Sequence, residues 1–431
     1  MTNLFGYHSL GSGYKKDQRG LSTAWSEQTL LSYIARVNYN YAGKYLLTAT
    51  ARYDGSSKFA KGNQWGIFPS VSAAWNITEE KFMKNQSFIN YLKIRGSYGI
   101  VGNDLMNTKS RFFYLPDAYN PYGTSYNFGV DVSGNRDGAT ELQMGNPLVS
   151  WEKAGKQNYG LDFSILVEHL SGSFDYFIEK RHDILTTRNT APNFIAITMP
   201  VVNIGKVDNK GFELVLKWNH SIGDFKYWIN GNLSYAKNKI VYKDEIPHKY
   251  PWLYETGQSV GQPFGFIFDG FVTEADLESG KLPDHKLDLK PGDAKYKDLN
   301  GDGVIDENDR TNIGSPLPKF TFGWTNTFRY KNFDLSLFIN GSYGNKVFNY
   351  LGMKLTHMNS PWSNQLNTVL DRAQIVPIDP NKDYSAGVVV NGVTIYNWYD
   401  DITNVRVANA GATIPRASIQ DPNDNDRISD R

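Results

Sequence analysis

The sequence lacks cysteine, and it lacks any long apolar run. Its 431 residues contain no Cys, which excludes disulfides, thiolate metal sites and cysteine nucleophiles and fits any compartment. No stretch approaches the roughly 18 consecutive apolar residues of a membrane-spanning helix, and the mean hydropathy is −0.47. Because the strands of a membrane barrel are only half apolar, these absences exclude a helical membrane protein but not a barrel.

An excess of charge of one sign is also lacking, and so are catalytic motifs. The 45 Lys and Arg balance the 44 Asp and Glu to a formal net charge of +1, so the chain has no basic footprint for nucleic acid. The 7 His residues are scattered, without a His-Glu-x-x-His motif, a nucleophile elbow or a phosphate-binding loop. Carboxylate pairs such as Asp400 and Asp401 lie on loops without an apolar setting. We therefore expect neither an enzyme nor a nucleic-acid-binding protein.

Alternating strands are what the sequence does contain. In the hairpin of residues 30–54, one face is aromatic at both ends and aliphatic in the middle, with Tyr33, Ala35, Val37, Tyr39 and Tyr41 followed by Tyr45, Leu47, Ala49, Ala51 and Tyr53. A side-chain period of two defines a strand with unlike faces. The apolar face runs over the roughly 9–11 residues that a tilted strand needs to cross a bilayer. For this hairpin alone, a half-buried strand of a soluble sandwich is an equal alternative.

Recurrence of the pattern decides between these alternatives. Further strands are predicted at residues 66–75, 92–99, 158–167, 170–179, 211–219, 226–238, 320–330 and 333–343, with a short helix at Thr78–Phe88. Long and short loops alternate, as the extracellular loops and periplasmic turns of an outer-membrane barrel do. Aromatic residues flank the short turns as a membrane-interface belt would, namely Tyr41, Tyr45, Trp75, Tyr91, Trp218, Tyr227, Tyr330 and Phe333. The sequence predicts an all-β, transmembrane, antiparallel up-and-down β-barrel of which this chain supplies about ten strands.

This pattern divides the chain into three parts. Residues 1–29 are predicted as an extracellular loop, residues 30–343 as the strands and loops of the barrel, and residues 344–431 as a second extracellular loop. The longest loop inside the barrel region is residues 239–319. No basic and apolar leader follows Met1, so we expect that an exported protein has lost its start in this chain.

A calcium-type loop at residues 298–309 is the most specific ligand motif. Side-chain oxygens recur at its positions 1, 3 and 5, and Gly303 occupies the position of the sharp turn. The predicted ligands are Asp298, Asn300, Asp302, Val304, Asp306 and Asp309. The last position is Asp where the motif has Glu, and no helix pair flanks the loop, which argues against an EF-hand switch. The alternative is an acidic, Gly-rich turn without Ca2+.

Aromatic residues in the long loops are candidates for stacking on sugar rings. The predicted substrate-binding residues are Trp252, Tyr254, Trp362 and Trp398, beside Tyr250, Tyr396 and Tyr399. Loops of a barrel mouth carry such contacts because aromatic rings combine an apolar face with a polar tip. Packing within their own loops is the alternative role for each of them.

Several motifs together resemble the SusC/RagA family of TonB-linked outer-membrane proteins of Bacteroidetes. They are Leu31-Ser32-Tyr33, residues 44–57 (KYLLTATARYDGSS), residues 68–75 (FPSVSAAW), Trp151-Glu152-Lys153, Asn203-Ile204-Gly205, residues 209–214 (NKGFEL) and Gly292-Asp293 through Asp309 with Ile313-Gly314. The resemblance implies a barrel of about 22 strands with an internal plug. It also implies uptake energy from the TonB complex and a SusD-like surface lipoprotein as partner, with a glycan or peptide oligomer as substrate.

Parts of the family pattern are missing from this sequence. The N-terminal regulatory-like domain, the TonB box, the plug and roughly the first nine strands have no counterpart, and about three final strands would follow the chain. We therefore expect an interior fragment of an outer-membrane nutrient transporter, in contact with lipid and coupled to TonB through the missing N-terminal region. The alternatives are a TonB-dependent siderophore or vitamin receptor and a secreted β-rich carbohydrate-binding module with a calcium loop.

Overall fold

The computed structural model describes residues 27–104, 114–115, 125–127, 135–137, 144–190, 199–356 and 364–417. Ten long strands dominate them: β1 (Leu30–Tyr41), β2 (Tyr45–Ser56), β3 (Trp65–Asn76), β4 (Ile89–Asn103), β7 (Glu152–Ile165), β8 (Leu170–Thr187), β9 (Val201–Ile222), β10 (Phe225–Tyr242), β15 (Phe320–Tyr330) and β16 (Phe333–Tyr343).

Short elements lie in the connections. The short strands are β5 (Ser125–Asn127), β6 (Asn135–Asp137), β11 (Phe264–Gly265), β12 (Phe268–Phe271), β13 (Ala294–Tyr296), β14 (Thr311–Asn312), β17 (Ile375–Pro377), β18 (Val388–Val390), β19 (Val393–Ile395) and β20 (Val405–Val407). The helices are α1 (Glu274–Ser279) and α2 (Tyr350–Thr356), with single 3-10 turns at Ile77–Glu79, Lys81–Met83, Pro251–Leu253, Glu307–Asp309, Asn367–Asp371 and Trp398–Asp400. None of the helices in the described ranges is long and apolar enough to cross a membrane.

The ten long strands form one sheet in which neighbours in the chain are neighbours in space. The order is β1-β2-β3-β4-β7-β8-β9-β10-β15-β16. The pairs with a resolved register, such as β1 with β2 and β7 with β8, are antiparallel. This is the up-and-down arrangement that the alternating pattern predicts, so the all-β barrel fold is confirmed.

The register of the first hairpin confirms the predicted apolar face. Tyr39 lies opposite Leu47, and Tyr41 lies opposite Tyr45 with a ring-centroid distance of 6.4 Å. The face is open, and Val37 is 68% exposed. In water such a row of exposed apolar side chains would promote aggregation. In a membrane barrel the same face contacts lipid.

The opposite face of the same sheet is polar and hydrogen-bonded. Arg95 on β4 contacts Asp162 on β7 at 3.2 Å and Asp175 on β8 at 2.6 Å. On the first hairpin, the Thr48 hydroxyl donates to the Asn38 side chain at 2.9 Å. These pairs run across neighbouring strands, as cross-strand contacts on one face of a sheet do. The two faces therefore differ in the way that lipid and lumen differ.

The chain divides into two compact units. The first comprises residues 1–229, 241–244 and 329–332, and the second comprises residues 230–240, 245–328 and 333–431. The first unit has a small apolar core in which Trp151 packs against Phe59 and Phe68. In the second unit, a core forms from Phe266, Ala294, Tyr296 and Ile305.

The helix predicted at Thr78–Phe88 is wrong. Two 3-10 turns, Ile77–Glu79 and Lys81–Met83, replace it. Glu80 has extended backbone between them, because its carboxylate accepts hydrogen bonds from Lys44 Nζ at 2.9 Å and Tyr45 hydroxyl at 2.8 Å. Tertiary contacts of one side chain thus override helix propensity here.

Several boundaries also differ from the predictions, including those of β4, β7 and β8. The turn predicted at Glu168-His169 begins earlier, with left-handed backbone at Leu166, Val167 and Glu168. Strand β9 begins at Val201 and β10 ends at Tyr242, so both extend beyond the predicted ranges of 211–219 and 226–238 toward the long loops. The loop predicted at residues 1–29 lies outside the described residues except for its last three, and the loop at 344–431 lies partly outside them.

Candidate functional site

A large cleft lies in the loops of the second unit. It has a volume of about 1060 Å³ and is lined by residues of two segments, 276–290 and 390–417. Its lining mixes leucines with Tyr396, Tyr399, Asn391 and Asn397. A large cavity with apolar walls and a few polar groups is the usual form of a ligand site. We take this cleft as the candidate functional site.

The first wall depends on helix α1. Thr273 and Asp276 form a capping box, in which the Thr273 hydroxyl accepts from Asp276 N–H at 3.2 Å and the Asp276 carboxylate accepts from Thr273 N–H at 2.9 Å. Lys295 Nζ also donates to Asp276 at 2.8 Å. Burial opposes ionisation of Asp276, but these hydrogen bonds outweigh it and lower the pKa of that carboxyl. The helix start is therefore fixed by an ionised side chain.

The second wall begins with the hairpin of β18 and β19. Its turn has left-handed backbone at Asn391 and Gly392, with φ of 49° and 82°, which is the chemistry of a type I′ turn. The strand then leads to Tyr396, which lines the cleft and is 68% exposed. Asn397 caps the following 3-10 turn by accepting from Asp400 N–H at 2.9 Å. The turn and the cap together hold Tyr396 at the surface.

Two cations hold Tyr399 between the walls. Lys290 Nζ lies 3.9 Å from the ring centroid of Tyr399 and donates to its carbonyl at 2.6 Å. Arg416 donates to the Tyr399 hydroxyl and makes two bonds of 2.9 Å to the carboxylate of Asp293. Lys290 also donates to Asp400 at 2.8 Å, which lowers the pKa of Asp400. The cations at this wall are therefore already engaged by the protein.

Both carboxylate oxygens of Asp401 accept hydrogen bonds. The residue is fully buried and accepts from Lys382 Nζ at 2.6 Å, Tyr384 hydroxyl at 2.8 Å and Thr403 hydroxyl at 2.6 Å. Burial alone would raise the pKa of Asp401. The hydrogen bonds outweigh burial and lower this pKa to about 2. Asp401 is thus a structural anion and is unsuited to donate a proton at neutral pH.

His285 in the cleft wall is also structural. It is buried, its Nε2 accepts from Tyr296 N–H at 3.1 Å, and its Nδ1 lies 2.7 Å from the Pro283 carbonyl. Since Nε2 accepts, Nδ1 carries the proton and donates. The arrangement of the cleft suits binding of a polar ligand with an apolar or sugar-ring face.

The predicted stacking residues Trp252, Tyr254 and Trp398 do not line this cleft. Trp252 stacks on Tyr250 at 4.7 Å and donates to the Asn308 carbonyl at 2.8 Å. Tyr254 packs edge-on against His248 at 5.0 Å. Trp398 packs edge-on against Tyr399, with a ring-centroid distance of 5.7 Å. Trp362 lies outside the described residues. A role for these four in binding stays a prediction.

The predicted calcium turn is held by its own backbone. Asp298 accepts hydrogen bonds from Gly301 N–H and Gly303 N–H, both at 2.7 Å, and both glycines have left-handed backbone. Burial opposes ionisation of Asp298, but these bonds lower the pKa of its carboxyl. Similar bonds involve the other predicted ligands, from Asn300 to Asp302, from Val304 to Asp302 and from Asn308 to Asp306.

Asp309 closes this turn. Its carboxylate is fully buried and accepts from Leu299 N–H at 2.8 Å and Asp306 N–H at 2.9 Å. Within the described ranges, no group of three or more His, Cys, Asp or Glu side chains is arranged to hold a metal ion. The donor atoms are the hard oxygens that Ca2+ prefers, and each carboxylate oxygen keeps a second lone pair. Occupancy by Ca2+ stays a prediction.

Sequence reasoning missed Lys290, Asp293 and Arg416. The signal is not local, because the Arg416–Asp293 pair joins residues 123 positions apart. Tyr396 and Tyr399 belong to the loop aromatics, but nothing in the sequence separates them from Trp398 as the residues that line the cleft.

Comparisons with known proteins agree on the type of barrel. The family model described as "TonB dependent receptor-like, beta-barrel" matches residues 2–345. TonB-dependent receptor P3 of Formosa agariphila is 33% identical over 368 residues, which cover 82% of this chain and 36% of the relative. TonB-dependent receptor SusC of Bacteroides thetaiotaomicron is 30% identical over 344 residues, which cover 75% of this chain and 32% of the relative.

A solved structure shares the fold. The RagAB peptide importer in its closed-closed state matches with a TM-score of 0.63 at 20% identity, over 84% of this chain and 39% of that chain. The chain thus spans little more than a third of the proteins that it matches. The matched region contains the whole ten-stranded sheet.

Proposed function

The chain belongs to the TonB dependent receptor-like β-barrel family of outer-membrane proteins, and we propose that it forms wall strands and loops of a TonB-dependent transporter of the SusC type. The observation that carries this proposal is the sheet of ten strands with one exposed apolar face and one polar face. A strand wall of this kind separates lipid from a lumen. The proposal contains no catalytic step.

The proposed substrate is a glycan oligomer, or alternatively a peptide oligomer, delivered with a SusD-like lipoprotein and imported with energy from the TonB complex. The cleft of about 1060 Å³ supports an oligomer, because its aromatic and amide groups suit sugar rings and peptide groups alike. The likeness to a SusC favours the glycan, and the fold likeness to a peptide importer keeps the alternative. A siderophore or vitamin remains the candidate if neither oligomer is taken up.

Uptake by cells that express the complete protein tests this proposal. Labelled oligosaccharides and peptides are supplied with and without the SusD-like partner, in strains with and without TonB. We expect accumulation of one oligomer class that needs both partners. Accumulation that is independent of TonB would contradict the transporter assignment.

Tyr396→Ala tests whether the cleft binds substrate, which is a separate question from whether the protein is a transporter. Loss of an exposed stacking ring should raise the substrate concentration that gives half-maximal uptake roughly 2- to 10-fold. Assembly of the barrel should be unchanged. The matched control is Trp252→Ala, whose ring packs on Tyr250 outside the cleft. An equal loss in both variants, or in neither, would remove the cleft from substrate binding and leave the transporter proposal standing.

We also propose that residues 298–309 bind Ca2+ as a structural staple of the longest loop. The support is the spacing of oxygen ligands and the two glycines that form the turn. Asp302→Ala should raise protease sensitivity between residues 261 and 314, while Glu307→Ala, at an exposed residue outside the ligand set, should not. Equal proteolysis of the natural protein in calcium and in chelator would refute the metal site.

A further inference from the structure

A second cavity in the same unit is lined by lysines and amides. It has a volume of about 780 Å³ and lies where β10, β15 and β16 meet the long loops, away from the short turns at residues 223–224 and 331–332. Its lining contains Lys237, Lys239, Lys319 and Lys346 and no Asp or Glu. All of the charged residues that line the cavity are therefore positive.

The four ammonium groups are without partners in the described part of the chain. No carboxylate lies within ion-pairing distance of any of them, in contrast to Lys290, whose Nζ is 2.8 Å from Asp400. Like charges around one cavity repel one another, and an anion bound there relieves that repulsion. The charge pattern thus points to an anionic ligand.

The amides around the cavity leave donors free. Asn238 Oδ1 accepts from Val260 N–H at 2.7 Å, and Gln262 Oε1 accepts from Ser259 N–H at 3.1 Å. Because the Gln262 carbonyl oxygen is used by the backbone, the amide NH2 group of Gln262 remains as a donor at the cavity. The lining therefore offers N–H donors in addition to positive charge.

Glycines let two of the lysines lie close to the backbone. A Cβ on Gly314 would come within 2.5 Å of Lys346 Cδ, and a Cβ on Gly344 would come within 3.1 Å of Lys319 Cβ. Both glycines have positive φ, at 135° and 85°. Lys346 N–H also donates to the Ser315 carbonyl at 2.7 Å. The stems of these lysines are thus held in place by the fold.

The facing of the other two lysines identifies where the anion comes from. Lys237 and Lys239 continue the alternate positions of Leu233 and Tyr235, the face of β10 that is predicted to contact lipid. The ring of Tyr235 packs against Phe320 at 4.8 Å. An aromatic pair followed by two lysines on the outer face is the order of side chains expected at a membrane interface.

We propose that this cavity binds a phosphate group of a glycolipid in the outer leaflet of the outer membrane. Lysines just beyond an aromatic belt lie at the depth of lipid headgroups, where basic pockets bind phosphate. The lipid-facing position of Lys237 and Lys239 favours a lipid over a soluble substrate, which would reach the protein from the lumen or the loop surface.

Lipid titration of the complete protein tests the proposal. Native mass spectrometry in detergent compares diphosphoryl lipid A with the same lipid after removal of its phosphates. We expect Lys237→Gln/Lys239→Gln to weaken binding of the diphosphoryl lipid roughly 10-fold, to the level of the dephosphorylated lipid. The matched control is Lys281→Gln/Lys286→Gln, two exposed lysines of the same unit outside the cavity, and it should bind as the natural protein does.

Three results would overturn the assignment. Equal binding of the two lipids by the natural protein would remove the phosphate from the site. An equal loss in the control variant would show a general effect of surface charge. Tighter binding of a water-soluble sulfated oligosaccharide than of the lipid, lost in the Lys237/Lys239 variant, would assign the cavity to a soluble anion.

Discussion

The sheet and the loops of this protein treat apolar and charged side chains in opposite ways. On the first hairpin, Val37 and Tyr39 are 68% and 57% exposed, whereas Asp293, Asp309 and Asp401 in the loops are fully buried. A soluble protein buries apolar side chains and exposes carboxylates. The difference shows that the strands are built for lipid and that the loops must fold in water around small cores.

Small cores explain why ionised groups are buried in the loops. A long loop with few apolar residues cannot bury enough surface to order itself, so directed hydrogen bonds supply its conformation. Arg416 with Asp293 and Lys382 with Asp401 join segments that share no sheet register. The strands also carry ion pairs, such as Arg95 with Asp175, but their backbone is already ordered by hydrogen bonds between neighbouring strands.

The largest effect should follow from breaking the buried pair in the loops. Asp293→Ala leaves the buried guanidinium of Arg416 without its carboxylate, and we expect a loss of about 3–5 kcal/mol in the stability of the loop region. Limited proteolysis of residues 245–417 in the complete protein measures this loss.

Two variants sharpen this result. Replacement of both partners, Asp293→Leu with Arg416→Met, should recover much of the loss, because no charge is then left unpaired. Glu307→Ala removes an ion pair whose carboxylate is 78% exposed and should cost less than about 1 kcal/mol. If Asp293→Ala costs no more than Glu307→Ala, burial of charge is not what orders the loops.

The next largest effect should distinguish the two faces of the sheet. Leu47→Arg places a guanidinium on the lipid-facing side and should cost about 2–4 kcal/mol in the complete protein. Thr48→Arg should cost much less, because Thr48 alternates with Leu47 along the strand and lines a cavity of about 420 Å³ together with Thr50 and Arg52. Folding in lipid vesicles with increasing denaturant measures both.

In a soluble sandwich, Thr48→Arg would also be tolerated better than Leu47→Arg. Stability therefore does not distinguish the two folds, and labelling is the control. With single cysteines placed at Leu47 and Thr48 in this cysteine-free chain, a lipid-dissolved probe should label only the first. Protection of position 47 from that probe, while the protein is in a bilayer, would contradict the assigned facing.

The smallest effect should be confined to acid pH. The folded pKa of Asp401 is about 2, below its ordinary value of about 3.9. A lowered carboxyl pKa contributes stability that is fully present above the ordinary value and is lost as the pH falls through the folded value. The unfolding temperature of the loop region should therefore fall between pH of about 4 and about 2, and Asp401→Asn should remove this component. Identical pH profiles of the two proteins would refute it.

Prediction from sequence succeeded in the strands and in their facing. The alternation of Tyr39, Val37 and Ala35 with polar residues is visible in the chain itself, and the register places these residues opposite Leu47, Ala49 and Ala51 as expected. It failed at Glu80, whose backbone is extended because its carboxylate bonds to Lys44 and Tyr45 of the preceding hairpin. No local pattern contains that contact.

The candidate site was much harder to predict. Trp252, Tyr254 and Trp398 were chosen for residue type, but the cleft is lined instead by Tyr396 and Tyr399. The wall residue Lys290 meets Asp400 across 110 positions of sequence. Such pairs follow from how the loops fold against each other, and composition does not specify them.

The sequence by itself determined the sheet, because a strand has a side-chain period of two. The polarity of each strand residue predicts whether it faces lipid or a polar environment. Only the tertiary structure decided the loops. There, a side chain such as Asp293 is buried or exposed according to a partner 123 residues away. The environment of an outward-facing strand residue is lipid, whatever the rest of the chain does. The environment of a loop residue is set only when distant segments pack against it.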